Sequence, residues 1–575
     1  MKTRILLIVM LAIVGLNTMG QTNISGFINA NTTWDIGGSP YIITGNALVS
    51  QGFTLTINPG VIVKFNSPKA LQIDGELIAI GNPQNRISFI SNLSTPQAGD
   101  WSEMHFSSTC VSATFDGNGN YLSGSIMKYC DVLYGGGLGN GEIHIESSSP
   151  YFSHWNTANS SNDGIYCNGS SYLIDSSIVK NCTGIGLHFN NISLTSCGLT
   201  IIGDSIVSNS GGGVIVTNST LTCQPIIKKN YFYGNLQKGA LTVGGPNLEV
   251  TENTFINNTI TSNGAVVNVN GGNTTKNYFE NNTANAGRCI LSSGGLISCN
   301  KFVSNHVNDH GIIYLPYGGS IIDHNIFDSN FGYSVVVSEI EGGSASSITF
   351  SNNTIRNNSV TSGVCCKFNM DLYGGSFMNI NNNNFINNVA IDVVNFSIMN
   401  NSTSPFLNMT NNNFSNPMSQ YEFYNNIAYG LPNLHLDSNY WGTTSTQHID
   451  SVIFDYFDDA TKSVVYYTPI LTSPVSVDTS CASSSELGIP FINKQSTSQI
   501  YPNPFSTQAI LTLQGTYNNP SLFIYNLLGQ EVRSIPVGTS KEVTIPRSNL
   551  PAGMYFYKLI DENKEVIGIG KLLVE

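Results

Sequence analysis

Apolar residues in this chain fall into short runs, cut by Gly, Asn and Ser, and the runs return in phase. Between about residues 176 and 441 one phrase recurs, as Asn230-Tyr231-Phe232-Tyr233-Gly234-Asn235, Asn253-Thr254-Phe255-Ile256-Asn257-Asn258 and Asn300-Lys301-Phe302-Val303-Ser304-Asn305. Further copies centre on Ile178, Ile206, Phe279, Phe327, Ile355, Phe385, Phe414 and Tyr440, with steps of 23 to 30 residues between centres. A second apolar run, usually opened by glycine, follows each centre (Gly213-Val214-Ile215-Val216, Gly264-Ala265-Val266-Val267). A third precedes the next centre (Ile226-Ile227, Ile321-Ile322, Ile348-Thr349-Phe350). Runs so short, bounded by bend-forming residues, predict strands rather than helices.

Three strands in each repeat unit predict a solenoid. The expected fold class is all-β: a right-handed parallel β-helix solenoid, each coil pairing with the coils above and below. Stacking places like residues over like. Phe232, Phe255, Phe279, Phe302, Phe327, Phe385 and Phe414 should form an internal aromatic column. Asn230, Asn253, Asn277, Asn300 and Asn325 should form a ladder of side-chain amides at one bend, each satisfied by its neighbours. Because these asparagines keep step with the coil, the pattern assigns them to structure ahead of glycan contact or glycosylation.

Residues 1–20 read as an expected secretory signal: Lys2 and Arg4, then an apolar core from Ile5 to Leu16 too short to span a bilayer. No later stretch predicts a transmembrane anchor. Residues 21–471 are expected to be the solenoid with end caps, Ser25 to Ala47 serving as the N-terminal cap. A loop is expected at Phe115 to Asn120, and Ile449 to Asp459 with Val464 to Leu471 should close the far end. Residues 472–499 read as a Ser/Thr-rich linker. Residues 500–575 change character, with about seven short strands that predict a small Ig-like β-sandwich.

Four phrases in that last segment closely resemble the C-terminal sorting domain of bacterial type IX secretion cargo. They are Tyr501-Pro502-Asn503-Pro504-Phe505, Tyr525-Asn526-Leu527-Leu528-Gly529-Gln530, Leu550-Pro551-Ala552-Gly553-Met554-Tyr555 and Gly570-Lys571-Leu572-Leu573-Val574. The resemblance implies partnership with the type IX secretion machinery through residues 500–575, and a secreted or cell-surface location. The phrases Leu55-Thr56-Ile57-Asn58-Pro59-Gly60-Val61, Gly75-Glu76-Leu77-Ile78-Ala79-Ile80-Gly81 and Asn439-Tyr440-Trp441-Gly442 resemble pectate-lyase-like β-helix proteins of the adhesin-like kind. That fold hosts lyases, hydrolases, epimerases and binders alike, so it implies no single activity.

Charge narrows the choice. Residues 21–471 carry 14 basic against 28 acidic side chains. That balance argues against a basic groove for a polyanion and excludes nucleic acid as an expected partner. The best catalytic candidates are Asp309, His310, Asp323 and His324, where a carboxylate stands beside an imidazole it could orient. Outward polar residues at a bend are the plain alternative for them. Asp455, Asp458 and Asp459 are the candidate Ca²⁺ ligands, against a solvated end cap; no other cofactor is expected. Trp34, Tyr121, Tyr134, Trp155 and Tyr333 would supply a platform for sugar rings.

Eleven cysteines leave at least one unpaired. Cys197 and Cys223 each stand nine residues before a repeat centre, which stacks them on adjacent coils within disulfide range; stacked free thiols fit the same spacing. The leading expectation is an exported, non-catalytic β-helix protein, adhesive or glycan-binding, possessing polysaccharide or surface glycan as partner. The alternative is a secreted polysaccharide lyase or hydrolase acting along one face.

Overall fold

The computed structural model describes residues 20–575 other than 170–172, 191–192, 195–198, 218–219, 222–223, 246, 262, 341–346, 371–376, 399–406, 484–497, 504, 514–518, 526–530, 539, 549, 552, 561–565 and 575. Residues 1–19 of the signal expected over residues 1–20, and the pair Cys197 and Cys223, lie outside the described residues. The chain divides into two compact units, residues 1–488 and 489–575.

The larger unit is a parallel β-solenoid. Each coil contributes three strands in turn. The first strands, from Thr32–Trp34 to Leu407–Thr410, stack into a column of 15 among the described residues. The second and third strands of successive coils join one larger sheet. The strands carrying the repeat centres pair in parallel and in register, so Phe232, Phe255, Phe279, Phe302 and Phe327 stand directly over one another. Their rings stack 4.7 to 4.9 Å apart, the spacing of neighbouring strands. Ile355 interrupts the column; Phe385, Phe414 and Trp441 resume it.

The first bend of each coil explains the asparagines. Lys229, Glu252, Lys276, Cys299, His324 and Asn352 all take left-handed backbone there, with φ between 54 and 57°. That conformation is unfavourable for residues bearing a Cβ, and it leaves amides at the corner without a ladder partner. The next residue repairs this. Asn253 donates its backbone N–H and its Nδ2 to Asn277 Oδ1 at 2.9 and 3.0 Å, and its Nδ2 again to the Ile227 carbonyl at 2.8 Å. Its own Oδ1 accepts the same pair of bonds from Asn230. This ladder continues to Asn439, and its first member is an aspartate, Asp204. A second ladder runs from Asn209 through Asn235, Asn258, Asn282, Asn305, Asn330, Asn358 and Asn388 to Asn416. It ends on Glu422, whose two oxygens accept from Asn416 N and Nδ2 at 2.8 and 2.7 Å.

Ser25 to Ala47, expected as a cap, is itself coil: Thr22–Ile28 pairs with Tyr41–Val49, Thr32–Trp34 pairs with Thr54–Ile57, and Trp34 stacks on Tyr41. Phe115 to Asn120 forms the tip of a hairpin between Thr114–Phe115 and Tyr121–Ser123. At the far end stand the helix Thr446–Val452, N-capped by Ser445, and the strands Ile453–Phe454 and Val465–Tyr466.

The segment after Leu471, expected as linker, is pinned back along the solenoid. Leu471 N–H donates to the Asn439 carbonyl, Val475 exchanges two 2.8 Å bonds with the Asn413 side chain, and Cys481 is bridged to Cys299. The other described cysteines are buried and unbridged.

The smaller unit has two antiparallel sheets. One holds Ser498–Tyr501, Gln508–Leu513 and Glu542–Pro546; the other holds Ser521–Tyr525, Glu531–Pro536, Gly553–Ile560 and Val566–Val574. Alternate residues of both, among them Ala509, Leu511, Leu522, Ile524, Ile545, Leu559 and Leu572, share one core.

Candidate functional site

Along the third strands the alternation that buries apolar side chains turns ring-bearing residues outward. Met104-His105-Phe106, Ile143-His144-Ile145, Ile165-Tyr166-Cys167 and Leu187-His188-Phe189 each put their outer residues in the core and the middle one on the surface. Register sets His105 beside His144, His144 beside Tyr166, and Tyr166 beside His188. The rings touch in series: His105 and His144 stack at 4.6 Å, His144 meets Tyr166 edge-on at 5.4 Å, and Tyr166 meets His188 edge-on at 5.2 Å. The result is a ridge of four rings across four adjacent coils, partly exposed throughout.

Polar groups flank the ridge. His188 Nδ1 lies 2.7 Å from Asp163 Oδ2, while Asp163 Oδ1 accepts from the Ile185 N–H. Asn190 donates to the Tyr166 hydroxyl at 3.1 Å, and Asn168 donates to Glu146 at 2.9 Å. His144 stands between two carboxylates, 3.4 Å from Glu103 and 3.6 Å from Glu146. These neighbours split the two imidazoles. Burial, aided by His144, holds His105 below the ordinary imidazole value against the pull of Glu103, Glu146 and Asp74. Burial also acts to lower His144, but Glu103 and Glu146 outweigh it and leave that ring above the ordinary value.

On the same strand Glu142 is fully covered. It accepts from Gly135 N–H at 2.6 Å and from the Thr157 hydroxyl, and burial pushes its carboxyl up to about 8 against those bonds.

The catalytic candidates read from sequence sit elsewhere. His324 occupies the first bend, with Nδ1 2.6 Å from Asp323, whose other oxygen accepts from Ser351 and Asn352 at 2.7 and 2.8 Å. His310 lies in the turn before the third strand Ile313–Leu315, 2.8 Å from Asp309 and edge-on to Tyr314. Each histidine is thus held by the aspartate next to it in sequence, at different corners of the coil. The three end aspartates are occupied by their own turn. Asp455 accepts from Phe457 and Val465 amides, Asp458 from the Asp455 amide, and Asp459 from the Thr461 amide and hydroxyl. Of the aromatic platform residues, Trp34 and Trp155 are buried in the core.

The ridge had a signal in the sequence, the apolar–ring–apolar triplet. It was masked by the insertion carrying the hairpin, which separates His105 from His144 by 39 residues where the next two steps are 22.

Residues 142–302 match the family described as right handed beta helix region, and residues 499–575 match the secretion system C-terminal sorting domain. The sorting domain marks the chain for export, to the cell surface or the medium. Among the described residues no helix is long and apolar enough to cross a membrane. No curated protein matches the sequence. Among solved structures, the receptor-binding tailspike of bacteriophage Det7 aligns at 9% identity over 92% of this chain and 94% of its own, with a TM-score of 0.18. The tailspike gp49 of Acinetobacter baumannii bacteriophage Fri1, a capsular polysaccharide depolymerase, aligns at 11% identity over 89% and 73%, with a TM-score of 0.14. At such scores neither likeness bears on function.

Proposed function

We propose that this exported solenoid is a non-catalytic glycan-binding protein that contacts polysaccharide along the ridge His105, His144, Tyr166 and His188. The observation that carries the reading is the unbroken series of ring contacts over four coils, edged by carboxylates and side-chain amides. Rings offer apolar faces to sugar, and the flanking groups offer hydrogen bonds. Glu103, Glu146 and Asp163 along the edge favour neutral or amino sugars over uronic acids.

Purified mature protein and a Tyr166→Ala/His188→Ala variant, run against immobilised neutral, amino and acidic polysaccharides, test it. Binding of a neutral or amino glycan should weaken at least about tenfold in the variant, the equivalent of about 1.4 kcal/mol. Equal binding by both proteins, or none by either, refutes the reading. The rival, a polysaccharide lyase or hydrolase, draws on Asp163 orienting His188 against the edge-on Tyr166 ring. New reducing ends or unsaturated products that vanish in His188→Ala would establish it in place of the binder.

A further inference from the structure

We infer that Glu103, His105 and His144 form a binding site for one divalent transition-metal ion. The ligand atoms of the three side chains lie within 4.8 Å of one another. They come from two adjacent coils whose strands pair His105 with His144. Glu103 Oε2, His105 Nε2 and His144 Nε2 are each shielded from solvent at the atom and make no hydrogen bond. Glu103 Oε2 and His144 Nε2 meet a neighbour only at ion-pair distance, 3.4 Å from His144 Nδ1 and 3.6 Å from Glu146 Oε2 respectively, and a shared partner that accepts lone pairs would satisfy them and His105 Nε2 together. A metal ion is that partner. Two imidazole nitrogens and a carboxylate oxygen suit Zn²⁺, Ni²⁺ or Cu²⁺ and not Ca²⁺ or Mg²⁺, which take oxygen alone.

Metal–ligand distances of about 2.0–2.2 Å require the three atoms to draw closer, a movement that side-chain rotation supplies. His144 and Glu103 are only 16% and 18% exposed, so the site is shallow yet reachable. The Glu103 carboxylate is seated against Gly139, where a Cβ would stand 2.0 Å from Oε2. The turn therefore leaves room for a carboxylate turned toward the histidines. Glu146, 3.6 Å from His144 Nε2, adds a second negative charge beside the cation. Three protein ligands leave a coordination position open for water or a hydroxyl group. The site does not depend on the ridge taking up glycan.

The experiment is calorimetric titration of chelator-stripped mature protein with Zn²⁺ and, separately, Ca²⁺. Expected are one Zn²⁺ per chain, no matching Ca²⁺ isotherm, and Zn²⁺ affinity reduced more than about tenfold in His105→Ala, His144→Ala and Glu103→Gln. His324→Ala, at the first bend and outside both the ridge and the cluster, should bind Zn²⁺ as the parent does. Far-UV circular dichroism confirms that each variant keeps its strands, since all these side chains face outward. Zn²⁺ binding that survives the two histidine substitutions, or no stoichiometric binding by the parent, overturns the assignment.

Discussion

Asp204 opens the first ladder in a place where every following coil has asparagine, and Asp204→Asn should stabilise the protein. Asp204 is 1% exposed; its Oδ1 accepts the Ser177 N–H at 2.7 Å, while its Oδ2 has no hydrogen-bond partner. In Asn230, one coil on, the atom in that place is Nδ2, which donates to Ile201 O and Asn253 Oδ1. By register, Asn at 204 would donate to Ile174 O and Asn230 Oδ1. Satisfying a buried orphan is worth about 1–3 kcal/mol, so the substitution should add about 2 kcal/mol at neutral pH.

The sign of the pH dependence is fixed. Burial raises the folded-state value of Asp204 well above its ordinary one. Its contribution is therefore fully present below the unfolded value near 3.8 and is lost as pH rises through the folded one. Protonated, its Oδ2–H can donate to Asn230 much as an amide would. The advantage of asparagine should be small at pH 4 and grow toward pH 8. Urea unfolding at several pH values, followed by tryptophan fluorescence, reads it, because Trp155 is buried beside this rung and its backbone N–H donates to the Ser177 hydroxyl. A less stable Asn variant at neutral pH, or a gain that ignores pH, would refute the reasoning.

Glu422→Gln should do the reverse and lose about 1–3 kcal/mol, because both Glu422 oxygens accept from Asn416 and a glutamine NH₂ would face a donor; denaturant titration checks this. Burial pushes Glu142 up to about 8 and Glu422 up to about 7. Both therefore contribute stability that is full below their unfolded values and falls as pH rises past about 4.5 toward about 8, a decline visible in melting temperature across that range. Phe279→Ala, at the centre of the column, should cost about 3–5 kcal/mol and Phe279→Leu less, measured by the same unfolding assay. Cys481→Ser should leave the coil signal intact yet expose residues 472–481 to limited proteolysis, because the bridge to Cys299 ties that segment down.

Much of the solenoid was legible because its repeat is written by the core. Phe255 and Phe279 can stack only if the coils between them match in length, so their spacing carries the architecture. The asparagines were legible for the same reason, since the left-handed bend recurs once per coil. The ridge was harder to see. Outward positions are released from packing, and His105, Tyr166 and His188 follow no pattern except through their buried neighbours. The acid–histidine pairs drew notice by adjacency in sequence, as in Asp323-His324, whereas Asp163 reaches His188 from one coil away. The bridge was invisible: Cys299 and Cys481 are 182 residues apart, and the returning segment has no period of its own.

That returning segment gives the bridge a use beyond fastening. Asn413 sits four coils beyond Cys299, and the chain regains Cys299 only by passing Val475 at Asn413 on the way to Cys481. The two thiols meet in this placement only when every intervening coil has been laid at full thickness, because a missing or slipped layer would leave Cys481 over the wrong corner. The oxidised pair thus serves as an inspection seal on the middle of the rod, and free thiol at residue 299 would single out molecules whose winding stopped short.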